Sequence, residues 1–278
     1  MVEALTIRSE EIATWPFDEL NSSRFMAPND ILWPLPPDPC PLAPTDVHVW
    51  AVHLDPDPDA LARLAKILST EEQARASRFR FERHRHRFII ARGVLRWLLA
   101  KYSDCPPEQL DFGYGPNGKP ALAGELAESA LFFNLAHSED LALIAVTQLG
   151  QIGVDVEQIR AMTDANELVE RFFSPRESAL FHTLPANQKD TAFFNLWTRK
   201  EAWLKATGEG IAHSLSQVEV TFLPAEPARI LALPDNSGPG SDWALRELIP
   251  ATGFVGAVAL PDVQFSILNI QFSIPELL

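Results

Sequence analysis

Hydrophobic and polar positions alternate along residues 47–52, Val-His-Val-Trp-Ala-Val, with the period of two that marks a β-strand. A helical spacing over 59–68 follows, then a shorter helix over 70–77 and a long one over 83–102. Phe88, Ala91, Leu95 and Leu98 form the apolar stripe of that long helix, and its arginines fall on the polar side. Strands are predicted around Phe112, at 131–135, at 141–147 and at 152–157. Polar Gln148, Gly150 and Gln151 turn the chain between the last two. Then the order begins again, with helices at 165–171, 175–184 and 191–206 and strands from 218 to the end.

The repeated order implies a mixed α/β (α+β) fold of two similar lobes, 46–150 and 151–278, although no sequence repeat accompanies it. Before them, residues 1–45 hold eight prolines, concentrated in the run from Trp33 to Pro41, where both helix and central strand are disfavoured. That segment reads as an irregular Pro-rich arm. Trp15 and Trp33 suggest that it lies against the body.

Composition narrows the possible functions. At 278 residues and 46% hydrophobic content the chain can bury a substantial core, and no apolar run approaches the length of a membrane span. Glu3 and Glu10 stand where a secretory signal is apolar, so a cytoplasmic address is expected. Two cysteines, Cys40 and Cys105, are too few for a disulfide framework or a zinc site. A net charge of −14 argues against nonspecific nucleic-acid binding. Against that background, nine Lys or Arg and only three acids occupy 71–101. Such a segment suits a polyanionic ligand, or it pairs with acids elsewhere in the fold.

The candidate chemistry begins at Ile152-Gly153-Val154-Asp155-Val156-Glu157. Residues two apart on a strand face the same way, so Asp155 and Glu157 project together. Two carboxylates about 5 Å apart repel by about 3 kcal/mol at an effective dielectric of 20. A magnesium ion with its hard oxygen ligands would offset this, and so would exposure to water on a solvated strand face. On the helix through residues 197–208, spacings of four put Trp197, Glu201 and Lys205 on one face, with Gly208 placed as a C-terminal cap. The Glu201–Lys205 spacing is also that of an ordinary surface ion pair. Ser174-Pro175-Arg176-Glu177 has the pattern of a capping box. Gly118-Lys119-Pro120 forms a turn that presents a lysine, and Phe133-Asn134-Leu135-Ala136-His137-Ser138 is a strand ending in a histidine and a serine.

Taken in order, GKP, FNLAHS, GVDVE, FFSPRE and WTRKEAWLKATGEG resemble the phosphopantetheinyl transferases of the larger, surfactin-synthetase-activating type, over about residues 47–220. The resemblance implies two α/β lobes related by pseudo-twofold symmetry, with coenzyme A and Mg²⁺ in the cleft between them. It also implies Asp155, Glu157 and Glu201 as magnesium ligands, Glu201 as candidate base and Lys205 beside the transferring phosphate. Arg75, Arg87, Lys119 and His137 fall where that family meets the 3′-phosphate and adenine end of coenzyme A. Two departures stand out: Ala136, where many relatives have serine, and Glu72, where a cation is common; both predict weaker nucleotide binding.

The reaction expected from this resemblance is attack by a carrier-protein serine on the β-phosphate of coenzyme A, by a monomer needing neither nucleic acid nor membrane. Carrier docking is expected on the basic segment or around Phe172, Phe173 and Phe181. Two other classes share parts of the pattern: a carrier-binding regulatory protein without turnover, and a magnesium-dependent hydrolase of nucleotide anhydrides. The first would lack the full set of acids; the second would not require Arg75, Lys119 and His137.

Overall fold

The computed structural model describes residues 31–37, 40–55, 58–209, 215–235 and 237–272. Alternation in its central strands sorts the apolar side chains into separate cores. Along β1 (Asp46–His53), Val47, Val49 and Ala51 enter one core while Trp50 and Val52 enter another. Wholly buried β5 (Leu141–Thr147) divides in the same way, Leu141, Leu143 and Ala145 against Ala142, Ile144 and Val146. These strands pair antiparallel, β4 (Phe132–Ser138) pairs antiparallel on the far side of β5, and β11 (Ser266–Gln271) runs parallel to β1. The sheet order is β11-β1-β5-β4.

Helices α1 (Pro58–Lys66) and α3 (Glu82–Ser103) cover one face of that sheet through Leu64, Ile90, Leu95 and Leu98. Its other face meets a second antiparallel sheet, ordered β6 (Gly153–Gln158), β10 (Phe254–Pro261) and β9 (Trp243–Leu248). Behind that sheet lies α6 (Ala186–Thr207), with α4 (Ala165–Phe172) and α5 (Pro175–His182) packed into the same core. The layers therefore run helix, sheet, sheet, helix. Short elements complete the chain: α2 (Thr70–Ala76), the β2 (Phe112–Tyr114) and β3 (Pro120–Leu122) hairpin, and the β7 (Glu219–Val220) and β8 (Ile230–Ala232) pair.

Three features differ from the sequence reading. The last described strand, β11, does not stay with residues 151–261 but joins the first sheet, because Ile270 and Phe272 complete the core under α3. Helix α6 starts at Ala186, after Pro185, since the polar turn 186–190 carries no apolar signal. Arg96 is not on an exposed face of α3; it is 2% exposed and bonded to Glu72. Of the arm, Ile31 and Trp33 are buried between the sheets, and Gln271 donates its backbone N–H to the Pro34 carbonyl. Trp15 lies outside the described residues. Among the described residues no helix is long and apolar enough to cross a membrane.

Candidate functional site

The site forms where β6 meets α6. Val154 and Val156 point into the core between the sheets, so Gly153, Asp155 and Glu157 face the helix. Glycine is required at the first of these positions. A Cβ on Gly153 would stand 2.1 Å from the Ala202 carbonyl oxygen and 2.2 Å from the Ala206 nitrogen, inside the backbone of α6. This close approach carries Glu201 and Lys205, one turn apart on α6, to the strand's carboxylates. At the helix end Gly208, with φ of 75°, supplies the left-handed cap.

Within the cluster Lys205 Nζ donates to Asp155 Oδ1 at 2.5 Å. Ser138, at the end of β4, donates to Glu157 Oε2 at 2.7 Å, and Arg160 approaches the same oxygen at 3.4 Å. Glu201 is 3% exposed. Burial pushes its pKa up to about 8, with Asp155 and Glu157 adding to the rise and Lys205 opposing it. Burial, then Asp155, lifts Glu157 to about 7. Asp155 is also raised by burial, against the pull of Lys205. With all four groups ionised, three carboxylates and one ammonium leave a surplus of two negative charges.

Two buried oxygens here, Asp155 Oδ2 and Glu201 Oε1, have no hydrogen-bond partner among the described residues. A buried acceptor without a donor costs about 1–3 kcal/mol, so these atoms suit a ligand that satisfies them. As the side chains stand, no three His, Cys, Asp or Glu among the described residues form a metal-ligating set. In this arrangement Lys205 holds Asp155, and Ser138 holds Glu157.

A basic group lies alongside. His137, one residue before the end of β4, is exposed. Partial loss of hydration, followed by the charges of Lys205, Arg87 and His84, holds its pKa below the ordinary imidazole value. Arg87 pairs with Glu139 at 3.5 Å. Arg75, exposed on α2, has its guanidinium 5.4 Å from the Phe88 ring centre. Lys119 is engaged otherwise: its Nζ donates to Gln151 Oε1, the Ile152 carbonyl and the Ala206 carbonyl at 2.8, 3.1 and 2.7 Å. It clasps the C-terminus of α6 to the β2–β3 hairpin, and burial lowers its pKa to about 8.

The two departures look different in three dimensions. Glu72 caps α2 through Ser69 and turns inward, accepting from Arg92 Nε and Arg96 Nε at 2.6 Å each. Its charge is spent inside the protein, so it does not oppose an anion bound nearby. Ala136 is 4% exposed and packs between the sheets. Phe173 and Phe181 are buried in the core around α6, which removes them as docking residues. Ser174 and Glu177 do form the expected capping box, and Glu177 also takes a hydrogen bond from Lys200 at 2.5 Å.

Several contributors went unrecognised in the sequence. Asn134 accepts the Val154 N–H at 2.9 Å and Ser138 accepts the Gln158 N–H at 3.2 Å, which ties the edge of β4 to β6 where the two sheets meet. His84 joins the basic group from α3. A signal for Asn134 and Ser138 existed in their spacing of four on a strand, which puts both on one face.

Two family models and several known proteins match this chain. Residues 52–149 match the family model described as 4′-phosphopantetheinyl transferase, N-terminal, and residues 151–259 match that of the 4′-phosphopantetheinyl transferase superfamily. The chain is 45% identical over 227 residues to 4′-phosphopantetheinyl transferase HetI of Nostoc sp. (strain PCC 7120), covering 82% of this chain and 92% of that protein. It is 34% identical over 198 residues to 4′-phosphopantetheinyl transferase psf-1 of Bacillus pumilus, covering 69% and 82%. A putative 4′-phosphopantetheinyl transferase of Synechocystis, slr0495, is 42% identical over 180 residues, covering 64% and 71%.

Proposed function

The chain belongs to the 4′-phosphopantetheinyl transferase family, and from its site we propose how it moves the phosphopantetheine arm of coenzyme A to a carrier-protein serine. It is an enzyme of that activity. The single observation that carries the mechanism is the cluster of Asp155, Glu157, Glu201 and Lys205, in which two buried carboxylate oxygens have no partner among the described residues.

Those two oxygens and the surplus of two negative charges fit a divalent cation with hard oxygen ligands, for which Mg²⁺ is the natural choice beside a pyrophosphate. Asp155, Glu157 and Glu201 would hold it. When bound, the ion supplies charge neutralisation for the pyrophosphate and for the departing phosphate. Lys205 then exchanges Asp155 for the phosphoryl oxygens and stabilises the charge that builds there. Glu201 takes the proton of the carrier serine, directly or through a water, as the hydroxyl oxygen bonds to the β-phosphorus. The bond from that phosphorus to the bridging oxygen breaks, and adenosine 3′,5′-bisphosphate leaves. Arg75, Arg87 and His137 face its 3′-phosphate, while Lys119 supports the site by fixing the end of α6.

In this reading residues 46–150 and 151–278 act as two lobes related by a pseudo-twofold axis, with β11 exchanged between them, and the Pro-rich arm 1–45 precedes them. The enzyme works as a cytoplasmic monomer, with coenzyme A and the carrier as its partners and no nucleic acid or membrane. Replacing Asp155 or Glu201 by alanine tests the assignment: transfer should fall by at least about 10²-fold with the circular dichroism spectrum unchanged. Near-normal turnover in either variant would refute it. Release of adenosine bisphosphate without any carrier protein would instead favour an anhydride hydrolase.

A further inference from the structure

Arg87 is not a vacant anion receptor. Its Nη1 lies 3.5 Å from Glu139 Oε2, and both side chains are mostly shielded, at 15% and 30% exposure. Glu139 follows His137 and Ser138 directly and forms the turn from β4 to β5 with φ of 50°, a left-handed conformation uncommon for a glutamate. That turn sets the carboxylate against α3, on the same arginine that bears on His137. Of the acids within the basic segment, Glu72 is directed inward to Arg92 and Arg96 and Glu82 pairs with Arg85.

We infer that Glu139 is a built-in competitor for the 3′-phosphate of coenzyme A: an internal anion that occupies Arg87 until the nucleotide displaces it, and so sets how strongly the enzyme distinguishes coenzyme A from its 3′-dephospho form. This rests on the reading in which Arg87 meets the 3′-phosphate. A phosphate carrying close to two charges outcompetes one carboxylate for a guanidinium, and it can engage the fork through two oxygens. An anion with fewer charges gains less from the exchange. The glutamate therefore lowers affinity for every ligand that must take Arg87, and it leaves unaffected a ligand that does not need this arginine.

Titration calorimetry with the full-length protein and Mg²⁺, in the absence of any carrier, gives the test. Wild type, E139Q, R87Q and the double variant are each titrated with coenzyme A and with 3′-dephospho-coenzyme A. The expected result is that E139Q binds coenzyme A about two- to fivefold more tightly, the range of a partly exposed ion pair. Binding of the dephospho form by E139Q should be unchanged. R87Q should weaken coenzyme A selectively, and on that background E139Q should add nothing. If R87Q discriminates between the two ligands but E139Q does not tighten coenzyme A, or tightens both equally, the competitor role is overturned and the phosphate reading survives. If R87Q weakens neither, both fall together.

Discussion

Exchanging Glu201 for glutamine should make the cation-free protein more stable while abolishing its activity. The pKa of this carboxyl stands at about 8 in the fold against 4.5 for an ordinary glutamate. Between those values folding takes up a proton, so stability falls as pH rises through the window and the full penalty is present above pH 8. At about 1.4 kcal/mol per tenfold in proton affinity, the rise from 4.5 to about 8 amounts to about 5 kcal/mol. Glutamine removes the charge but buries an amide in a place with few partners, which returns about 1–3 kcal/mol. The net gain of about 2–4 kcal/mol corresponds to a melting temperature higher by about 4–16 °C. Thermal unfolding in EDTA from pH 6 to pH 9 should show a gap between variant and wild type that widens with pH. Adding Mg²⁺ should then raise the wild type alone, since only it regains a ligand for the cation. An E201Q protein that melts below wild type at pH 9, or a gap independent of pH, would refute the electrostatic reasoning.

Mg²⁺ binding should also release protons near pH 7, because Glu157 and Glu201 stand at about 7 and about 8 without the ion; calorimetry in buffers of different ionisation enthalpy reads this directly, and cation affinity should drop as pH falls below 7. Gly153→Ala should cost about 3 kcal/mol or more, seen in urea unfolding, because its Cβ meets α6 backbone that cannot step aside. Glu72→Ala should destabilise by about 3–5 kcal/mol by leaving Arg92 and Arg96 shielded without a counter-charge, and Glu72→Lys should be worse, not better, for the fold. Lys119→Met should loosen the end of α6, detected as faster amide exchange over residues 202–208, with helix content otherwise retained.

Much of the site could be read in the sequence because its chemistry follows local periods. Asp155 and Glu157 share a face by strand alternation, Glu201 and Lys205 by the helical repeat, and the capping box at Ser174 needs only four residues. What escaped the reading depends on contacts between distant segments. Glu72 looks like a misplaced charge until α3 brings Arg92 and Arg96 to it, twenty and twenty-four residues later. Lys119 looks like a ligand contact until the end of α6 supplies its carbonyl partners. Phe173 and Phe181 look available as apolar residues beside a turn, but α6 covers them. The parallel pairing of β11 with β1 joins the two ends of the described chain, and no local pattern encodes such a partner.

The central claim is that this buried acidic cluster drives transfer of phosphopantetheine to a carrier serine. The measurement that tests it most directly is the intact mass of several apo carrier proteins after incubation with the enzyme, coenzyme A and Mg²⁺. A gain of one phosphopantetheine arm on at least one carrier, absent with EDTA, with Asp155→Ala, or when the carrier serine is replaced, is the predicted result. A carrier that gains the arm equally well in EDTA or with the Asp155 variant would contradict it.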